Sequence, residues 1–117
     1  MLSDMTGAKD MNELSMAIRT PQGLVVVVGC AHPGIEKIIE EASKIDPRVH
    51  SVFGGFHLVD VADAEVSSIV TRFRDKWKLE RAAAGHCSGE FAFSEFNRVF
   101  GSKFDHAGVG SVIALPR

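Results

Sequence analysis

Three of the five histidines stand next to or close to glycine, and each follows an apolar stretch that is typical of a β-strand. They are His32 in Gly29-Cys30-Ala31-His32-Pro33-Gly34, His57 in Gly54-Gly55-Phe56-His57 and His86 in Gly85-His86-Cys87-Ser88-Gly89. Parallel strands deliver such loops to one edge of a sheet, where α/β proteins bind their ligands. Imidazoles gathered there among small neighbours can ligate a metal such as zinc and leave one position open for water. We therefore predict that His32, His57 and His86 are metal ligands.

Two other interpretations of these histidines stay open. Each imidazole can instead cap a strand end and hydrogen-bond to the backbone, which is a common role for a partly buried histidine. Cys30 and Cys87 can also join His32 and His86 in a closed structural zinc site, although Cys-x-His and His-Cys are tighter than the spacing of roughly two to four residues that is usual there. Two cysteines are too few for a disulfide scaffold, so we expect reduced thiols.

The remaining polar candidates have weaker patterns. His50 and His106 lack the glycine context and are expected to be surface or strand residues. Four carboxylates lie near the histidine loops or the last turn and could orient an imidazole, although lone carboxylates are more often solvated. They are Asp60, Asp63, Glu90 and Asp105.

Hydrophobic periodicity indicates the elements that position the histidine loops. Leu14, Met16 and Ile18 alternate with other residues as in a half-buried strand, whereas the run from Leu24 to Val28 is apolar throughout, as in a central strand covered on both faces. Further strands are predicted at Val49 to Phe53, Arg81 to Ala84 and Val109 to Leu115. Apolar stripes predict helices from Pro33 to Ile45, from an N-cap at Asp63 to Trp77, and from an N-cap at Ser88 to Phe100.

This order of elements predicts an α/β fold with one mixed, mostly parallel sheet. Right-handed crossovers put all three helices on one face of that sheet and leave the other face uncovered. Because the strand from Leu24 to Val28 needs cover on both faces, we expect a partner to pack on the free face. Residues 1–11 show no periodicity and are expected to be a flexible arm before a single domain over residues 12–117.

The amino-acid composition limits the classes of partner and the cellular location that we expect. The chain has 117 residues, 45% of them hydrophobic and 24% charged, which fits one globular domain. With 13 basic against 15 acidic residues it has no basic stripe for nucleic acid. The apolar run from Leu24 to Cys30 is far shorter than the roughly 20 residues of a membrane-spanning helix, and the amino terminus lacks a signal pattern. We expect a cytoplasmic protein that binds neither nucleic acid nor membrane.

The histidine loops resemble those of metallo-β-lactamase-fold proteins, in the branch of the dihydropterin ribofuranosylaminobenzene phosphate synthase-like proteins. The resemblance covers nearly all of residues 12–116. Four blocks in order carry it: Thr20-Pro21-Gln22-Gly23-Leu24 leading into Val28-Gly29-Cys30-Ala31-His32-Pro33-Gly34-Ile35, then Gly54-Gly55-Phe56-His57-Leu58, Gly85-His86-Cys87-Ser88-Gly89 and Gly108-Val109-Gly110. It implies that His32 ligates one metal and His86 a second, while His57 stands where the family usually has an acidic bridging ligand.

The resemblance also implies an incomplete site. The family fold is an αββα sandwich of two similar halves, and this sequence resembles the second half. The family's leading His-x-His-x-Asp-His motif supplies most of both metal sites and the group that activates water, and no His-x-His occurs in this sequence. The implied protein is a metal-dependent hydrolase or transferase-type half-domain that holds zinc or manganese weakly, with reduced or lost catalysis.

A second copy of the chain could cover the free sheet face, so we expect a homodimer that completes the sandwich. Two alternatives remain. One is a non-catalytic binding or assembly module, and the other is a half that pairs with a separate chain carrying the missing motif. The sequence assigns no substrate.

Overall fold

Strands and helices alternate along the chain from Gly23 to Phe100, as the apolar runs and stripes of the sequence predict. The computed structural model describes residues 2–5, 11–32, 34–85, 87–107 and 111–116. Its elements are β1 (Leu2–Met5), β2 (Met11–Leu14), β3 (Met16–Thr20), β4 (Gly23–Val27), α1 (Ile35–Ser43), β5 (Val49–Gly55), α2 (Asp63–Asp75), β6 (Arg81–Gly85), α3 (Glu90–Phe100) and β7 (Phe104–His106). A 3₁₀ turn over Gly101–Lys103 joins α3 to β7.

Five of the strands form one mixed sheet in the order β3-β4-β5-β6-β7. β3 and β4 are antiparallel, and the register pairs Ile18 with Val25. The other neighbours are parallel, so Val52 of β5 lies beside Val26 on one side and Ala82 on the other. β1 and β2 form a separate antiparallel pair. The predicted mixed, mostly parallel sheet is confirmed, and the carboxyl ends of β4, β5 and β6 meet at one edge.

All three helices pack on the same face of the sheet, as predicted. The alternating residues of the strands meet the helices there, and the main core lies between them. At its centre, the rings of Phe56, Phe73 and Phe96 contact one another with ring centres 5.4 to 5.8 Å apart. Phe73 belongs to α2 and Phe96 to α3, so this aromatic cluster holds two helices against the chain that follows β5.

The opposite face of the sheet is not bare at its centre. Val25, Phe53 and Ala83 form a second buried cluster there, and Ile18, Ala107 and Ile113 pack against it. The expectation of an uncovered face is therefore wrong for this part of the sheet, because residues after β7 supply cover. Apolar surface remains at one end of β3 and β4, where the exposed fraction is 77% for Leu14 and 58% for Met16.

The carboxyl-terminal part of the chain differs from the predicted elements. Residues 111–115 have no regular secondary structure, and Val109 lies outside the described residues, so the predicted strand from Val109 to Leu115 is wrong over its described part. β7 takes the edge beside β6 instead. Its sequence, Phe104-Asp105-His106, contains one hydrophobic residue and so has no hydrophobic alternation that would predict a strand. The strand forms through its backbone pairing with β6.

The predicted flexible arm over residues 1–11 includes two segments of strand. β1 occupies Leu2–Met5, and β2 begins at Met11, whereas residues 1 and 6–10 lie outside the described residues. These strands pair with each other and are not part of the main sheet.

The helix starts also differ from the predicted caps. The residues before the helices are Gly34, Ala62 and Gly89, and none of them makes a side-chain capping hydrogen bond. Asp63 is instead the first residue of α2, where its negative charge interacts favourably with the positive end of the helix dipole. No helix within the described ranges is long and apolar enough to cross a membrane.

Candidate functional site

The loops after β4 and β5 bring two predicted ligands into contact. The ring centres of His32 and His57 are 4.7 Å apart, and the ring planes make an angle of 59°. The prediction that the histidine loops meet at one edge of the sheet is therefore confirmed for this pair. Their role as metal ligands stays a prediction. His86 lies outside the described residues, between Gly85 at the end of β6 and Cys87.

Backbone geometry holds the two loops close together. The N–H of Gly55 donates a hydrogen bond of 2.7 Å to the carbonyl of Gly29. A Cβ at Gly54, where φ is +135°, would lie 2.1 Å from the carbonyl oxygen of Val28, so only glycine fits there. His57 itself has a φ of 51°, a left-handed conformation that is uncommon for a residue with a side chain and recurs at functional sites.

Ser88 links the loop after β5 to the loop after β6. Its buried hydroxyl accepts a hydrogen bond of 3.1 Å from the N–H of Phe56 and donates one of 3.0 Å to the carbonyl of Gly85. Sequence reasoning predicted this serine as the N-cap of α3, and that prediction is wrong. The hydroxyl instead satisfies two buried backbone groups, which fixes the chain immediately before His57.

The imidazole of His57 has an unused ligand atom. Its Nδ1 is buried and has no hydrogen-bond partner within the described part of the chain. A buried ring nitrogen without a partner is costly, and a metal ion is one group that removes this cost. Neighbouring imidazoles such as those of His32 and His57 are a donor set that zinc accepts. The described residues contain no group of three or more His, Cys, Asp or Glu side chains placed to hold a metal ion, so Cys30, Cys87 and His32 do not form the closed structural site.

The two cysteines lie beside the histidine pair and are free thiols. The Cys87 thiol donates a 3.5 Å hydrogen bond to the carbonyl of Cys30, and the backbone carbonyl of Cys87 accepts one of 3.2 Å from the N–H of Val59. Burial raises the pKa of the Cys87 thiol, and the neighbouring Cys30 thiol adds to this increase. The expectation of reduced thiols agrees with this arrangement.

A cavity of about 430 Å³ opens next to the histidine pair. Its wall includes His32, Phe56 and His57 together with the first turn of α1, from which Glu36 and Lys37 also line it. Sequence reasoning missed Glu36 and Lys37. The one signal for them is their place in the first turn of the helix that follows Pro33-Gly34, at the ligand-binding edge of the sheet.

Glu36 is held by two side chains from other parts of the chain. Its carboxylate accepts hydrogen bonds of 2.6 to 3.0 Å from Nε and Nη2 of Arg72 and one of 3.1 Å from Nε1 of Trp77. Burial would raise the pKa of Glu36, but the hydrogen bonds from Arg72 and Trp77 and the charge of Arg72 outweigh it and lower the pKa. Glu36 is therefore an ionised, fully engaged residue of the cavity wall and is poorly suited to carry protons.

The other predicted candidates lie elsewhere. His50 is in β5, where its Nδ1 hydrogen-bonds to the hydroxyl of Ser51, and the exposed His106 is in β7, with its ring centre 4.9 Å from that of Phe93. Both are strand residues, as predicted. Asp105 pairs with Arg81 rather than with an imidazole. Asp60, Asp63 and Glu90 are exposed.

Comparison with known proteins finds curated sequence relatives and a solved structure. The chain is 34% identical over 104 residues to 7,8-dihydropterin-6-methyl-4-(β-D-ribofuranosyl)-aminobenzene-5′-phosphate synthase of Methanocaldococcus jannaschii, which covers 87% of this chain and 35% of that protein. An uncharacterized protein of the same organism is 31% identical over 93 residues, with 78% of this chain and 34% of that protein covered. The chain thus spans about a third of the length of these curated relatives. No family profile matches the sequence.

A solved structure matches the fold as well as the sequence. It is the crystal structure of a metal-dependent hydrolase of the β-lactamase superfamily, with a TM-score of 0.82 and 34% sequence identity. The match covers 91% of this chain and 41% of that chain. The chain therefore has the fold of the metallo-β-lactamase superfamily, and its sequence is similar to the dihydropterin ribofuranosylaminobenzene phosphate synthase over about a third of that protein's length.

Proposed function

We propose that this chain binds one zinc or manganese ion through His32, His57 and His86 and serves as part of a metal-dependent hydrolase or transferase. The observation that carries the proposal is the contact between the imidazoles of His32 and His57, with the buried Nδ1 of His57 unpartnered among the described residues. The similarity to a metal-dependent hydrolase supports it. His86 joins the set through its place in the loop after β6, which ends at the same sheet edge.

The neighbouring cavity is the proposed place of the substrate. A bound ion would supply Lewis acidity, which polarises an ester, phosphoester or amide and lowers the pKa of water. Lys37 on the cavity wall would attract an anionic group of the substrate. Glu36 would hold the cavity wall in place through its hydrogen bond with Arg72. His57 can either ligate the metal ion or carry a proton. The name of the synthase contains a 5′-phosphate, so phosphoesters are the first substrates to test.

Catalysis by the chain alone should be weak or absent. A catalytic zinc takes three protein ligands and a water, and two-metal sites of this family need more ligands than the histidine loops supply. The histidine loops supply only part of such a ligand set, so we expect an affinity on the order of micromolar. Further ligands have to come from another polypeptide segment.

Homodimerisation is the second part of the proposal. Leu14, Met16 and Val27 are exposed apolar residues at one end of β3 and β4, beside a groove of about 500 Å³. A second copy packed on this end of the sheet would bury them, in an obligate interface of roughly 2,000 Å² or more. Sedimentation equilibrium at micromolar concentration should give the mass of a dimer, and a monomer would contradict this part.

A non-catalytic binding or assembly module is the alternative function. It is favoured by one observation, that no group of three or more ligands is assembled within the described residues. A chain that pairs with a separate polypeptide carrying His-x-His-x-Asp-His would gain metal and turnover when that polypeptide is added. The binding module would gain neither.

The experiment that separates these functions measures metal content and turnover after dialysis. Wild type and the double variant His32→Ala, His86→Ala are loaded with zinc or manganese and assayed on nitrophenyl phosphoesters. We expect wild type to keep a small fraction of metal with little turnover, and the double variant to keep none. Tight stoichiometric metal with turnover that the double change abolishes would establish an active enzyme. Equal metal content in both proteins would contradict the proposed ligands.

A further inference from the structure

Cys30 and Cys87 lie in contact across a glycine. A Cβ at Gly55 would be 3.1 Å from the sulfur of Cys87 and 3.4 Å from the Cα of Cys30. The same sulfur lies 3.5 Å from the carbonyl oxygen of Cys30. Gly55 therefore leaves the space in which the two cysteines meet, and the function proposed above uses neither sulfur.

We propose that Cys30 and Cys87 are a site of reversible oxidation, at which a disulfide joins the loop of His32 to the loop of His86 and releases the loop of His57. Both cysteines are free and partly exposed, so a small-molecule disulfide can reach them. A covalent bond needs the two sulfurs to approach to about 2.05 Å. The contacts around Gly55 show that the two residues already lie side by side.

The chemistry is thiol–disulfide exchange with a low-molecular-weight disulfide as the oxidant. One cysteine attacks the oxidant, which forms a mixed disulfide and releases one thiol. The other cysteine then attacks the mixed disulfide, which forms the bond between Cys30 and Cys87 and releases the second thiol. Two electrons and two hydrogens pass from the protein to the oxidant, and a dithiol reverses the reaction.

The consequence for the site follows from one hydrogen bond. The backbone carbonyl of Cys87 accepts a 3.2 Å hydrogen bond from the N–H of Val59, two residues after His57, whose φ of 51° is a strained conformation. A disulfide draws Cys87 towards Cys30 and moves this carbonyl away from the N–H of Val59. The imidazole of His57 then loses its fixed position beside His32. Any effect on metal affinity rests on the function proposed above.

The test oxidises the full chain with oxidised glutathione and reads the disulfide and the histidines separately. Tryptic mapping should find residues 20–37, which contain Cys30, linked to residues 82–98, which contain Cys87. Imidazole NMR signals should shift for His57 and stay unchanged for His50, and dithiothreitol should restore them. Cys30→Ser should give only a glutathione adduct on Cys87 and should leave the His57 signals close to those of the reduced chain.

Titration with cobalt(II) measures the metal affinity of the oxidised and reduced chains. We expect the oxidised chain to bind cobalt(II) at least ten-fold more weakly than the reduced chain. Separate glutathione adducts without the linked peptides, or a disulfide that leaves the His57 signals unchanged, would overturn the proposed oxidation site. If the disulfide forms and the His57 signals shift but the reduced chain binds no cobalt(II), the oxidation site stands and the proposed metal function fails.

Discussion

Arg72 of α2 binds Glu36 of α1 through both Nε and Nη2, with a shortest distance of 2.6 Å. This contact joins two helices on the same face of the sheet and fixes the first turn of α1, which forms part of the cavity wall beside His32 and His57. Bidentate geometry of this kind is stronger and more directional than a simple surface ion pair. The contact therefore links helix packing to the shape of the proposed site.

The first prediction concerns the pH dependence of this contact. The pKa of Glu36 is lower in the folded chain than its ordinary value of 4.5, so its ionised form stabilises the fold above that value. This stabilisation is lost as the pH falls through the lowered folded pKa. Glu36→Gln should reduce the free energy of unfolding by about 1 kcal/mol at pH 7 and by progressively less as the pH falls below 4.5. Urea unfolding of both proteins across this range checks it, and a difference that does not depend on pH would contradict it.

The second prediction distinguishes residues of the hydrophobic core from residues of the candidate site. Phe73 is fully buried in the aromatic cluster with Phe56 and Phe96. Phe73→Ala should lower the free energy of unfolding by about 3 to 5 kcal/mol, and Ile38→Ala by about 2 to 5 kcal/mol, through lost packing and the cavity left behind. His32→Ala should cost far less. Thermal and urea denaturation measure all three, and a loss at His32 equal to that at Phe73 would assign the histidine a structural role.

The third prediction concerns Ser88, which satisfies the N–H of Phe56 and the carbonyl of Gly85. Ser88→Ala should leave a buried N–H without its acceptor and cost about 1 to 3 kcal/mol. Ser68→Ala is the matched control, because Ser68 is exposed and its hydroxyl donates to a carbonyl within its own helix. Chemical denaturation of the two variants should show a clear loss only for Ser88, and equal stability would contradict the proposed link between the loops.

The fourth prediction concerns the close approach of the loops at Gly54. Gly54→Ala places a Cβ 2.1 Å from the carbonyl oxygen of Val28 and imposes a side chain at a φ of +135°. The free energy of unfolding should fall by about 3 kcal/mol or more. Gly29→Ala is the control, since nothing lies within 4 Å of a Cβ built there. Similar stability of both variants in urea would show that the loops can move apart freely.

Much of the fold follows from local patterns in the sequence. The apolar run around Val25 and Val26 predicts a central strand, and both residues are fully buried. The stripe that includes Phe73 predicts a helix that the structure contains. These features depend on period and burial, which the sequence carries directly.

Other features depend on tertiary contacts and leave no local pattern. β7 is formed by pairing with β6 and carries mostly polar residues. Ile113, far along the chain, packs against the cluster that contains Val25 on the second face of the sheet. The site divides in the same way. Glycine context indicates His32 and His57, whereas the place of Glu36 in the cavity depends on Arg72 and Trp77.

The most direct test of the account is a zinc titration by calorimetry of wild type, His57→Ala and His106→Ala. His57 carries the buried Nδ1 that has no partner among the described residues, whereas His106 is an exposed residue of the edge strand β7. We predict that wild type and His106→Ala bind zinc with the same affinity, on the order of micromolar, and that His57→Ala binds at least ten-fold more weakly. Equal zinc binding by His57→Ala and wild type, or no zinc binding by wild type, would contradict the central claim.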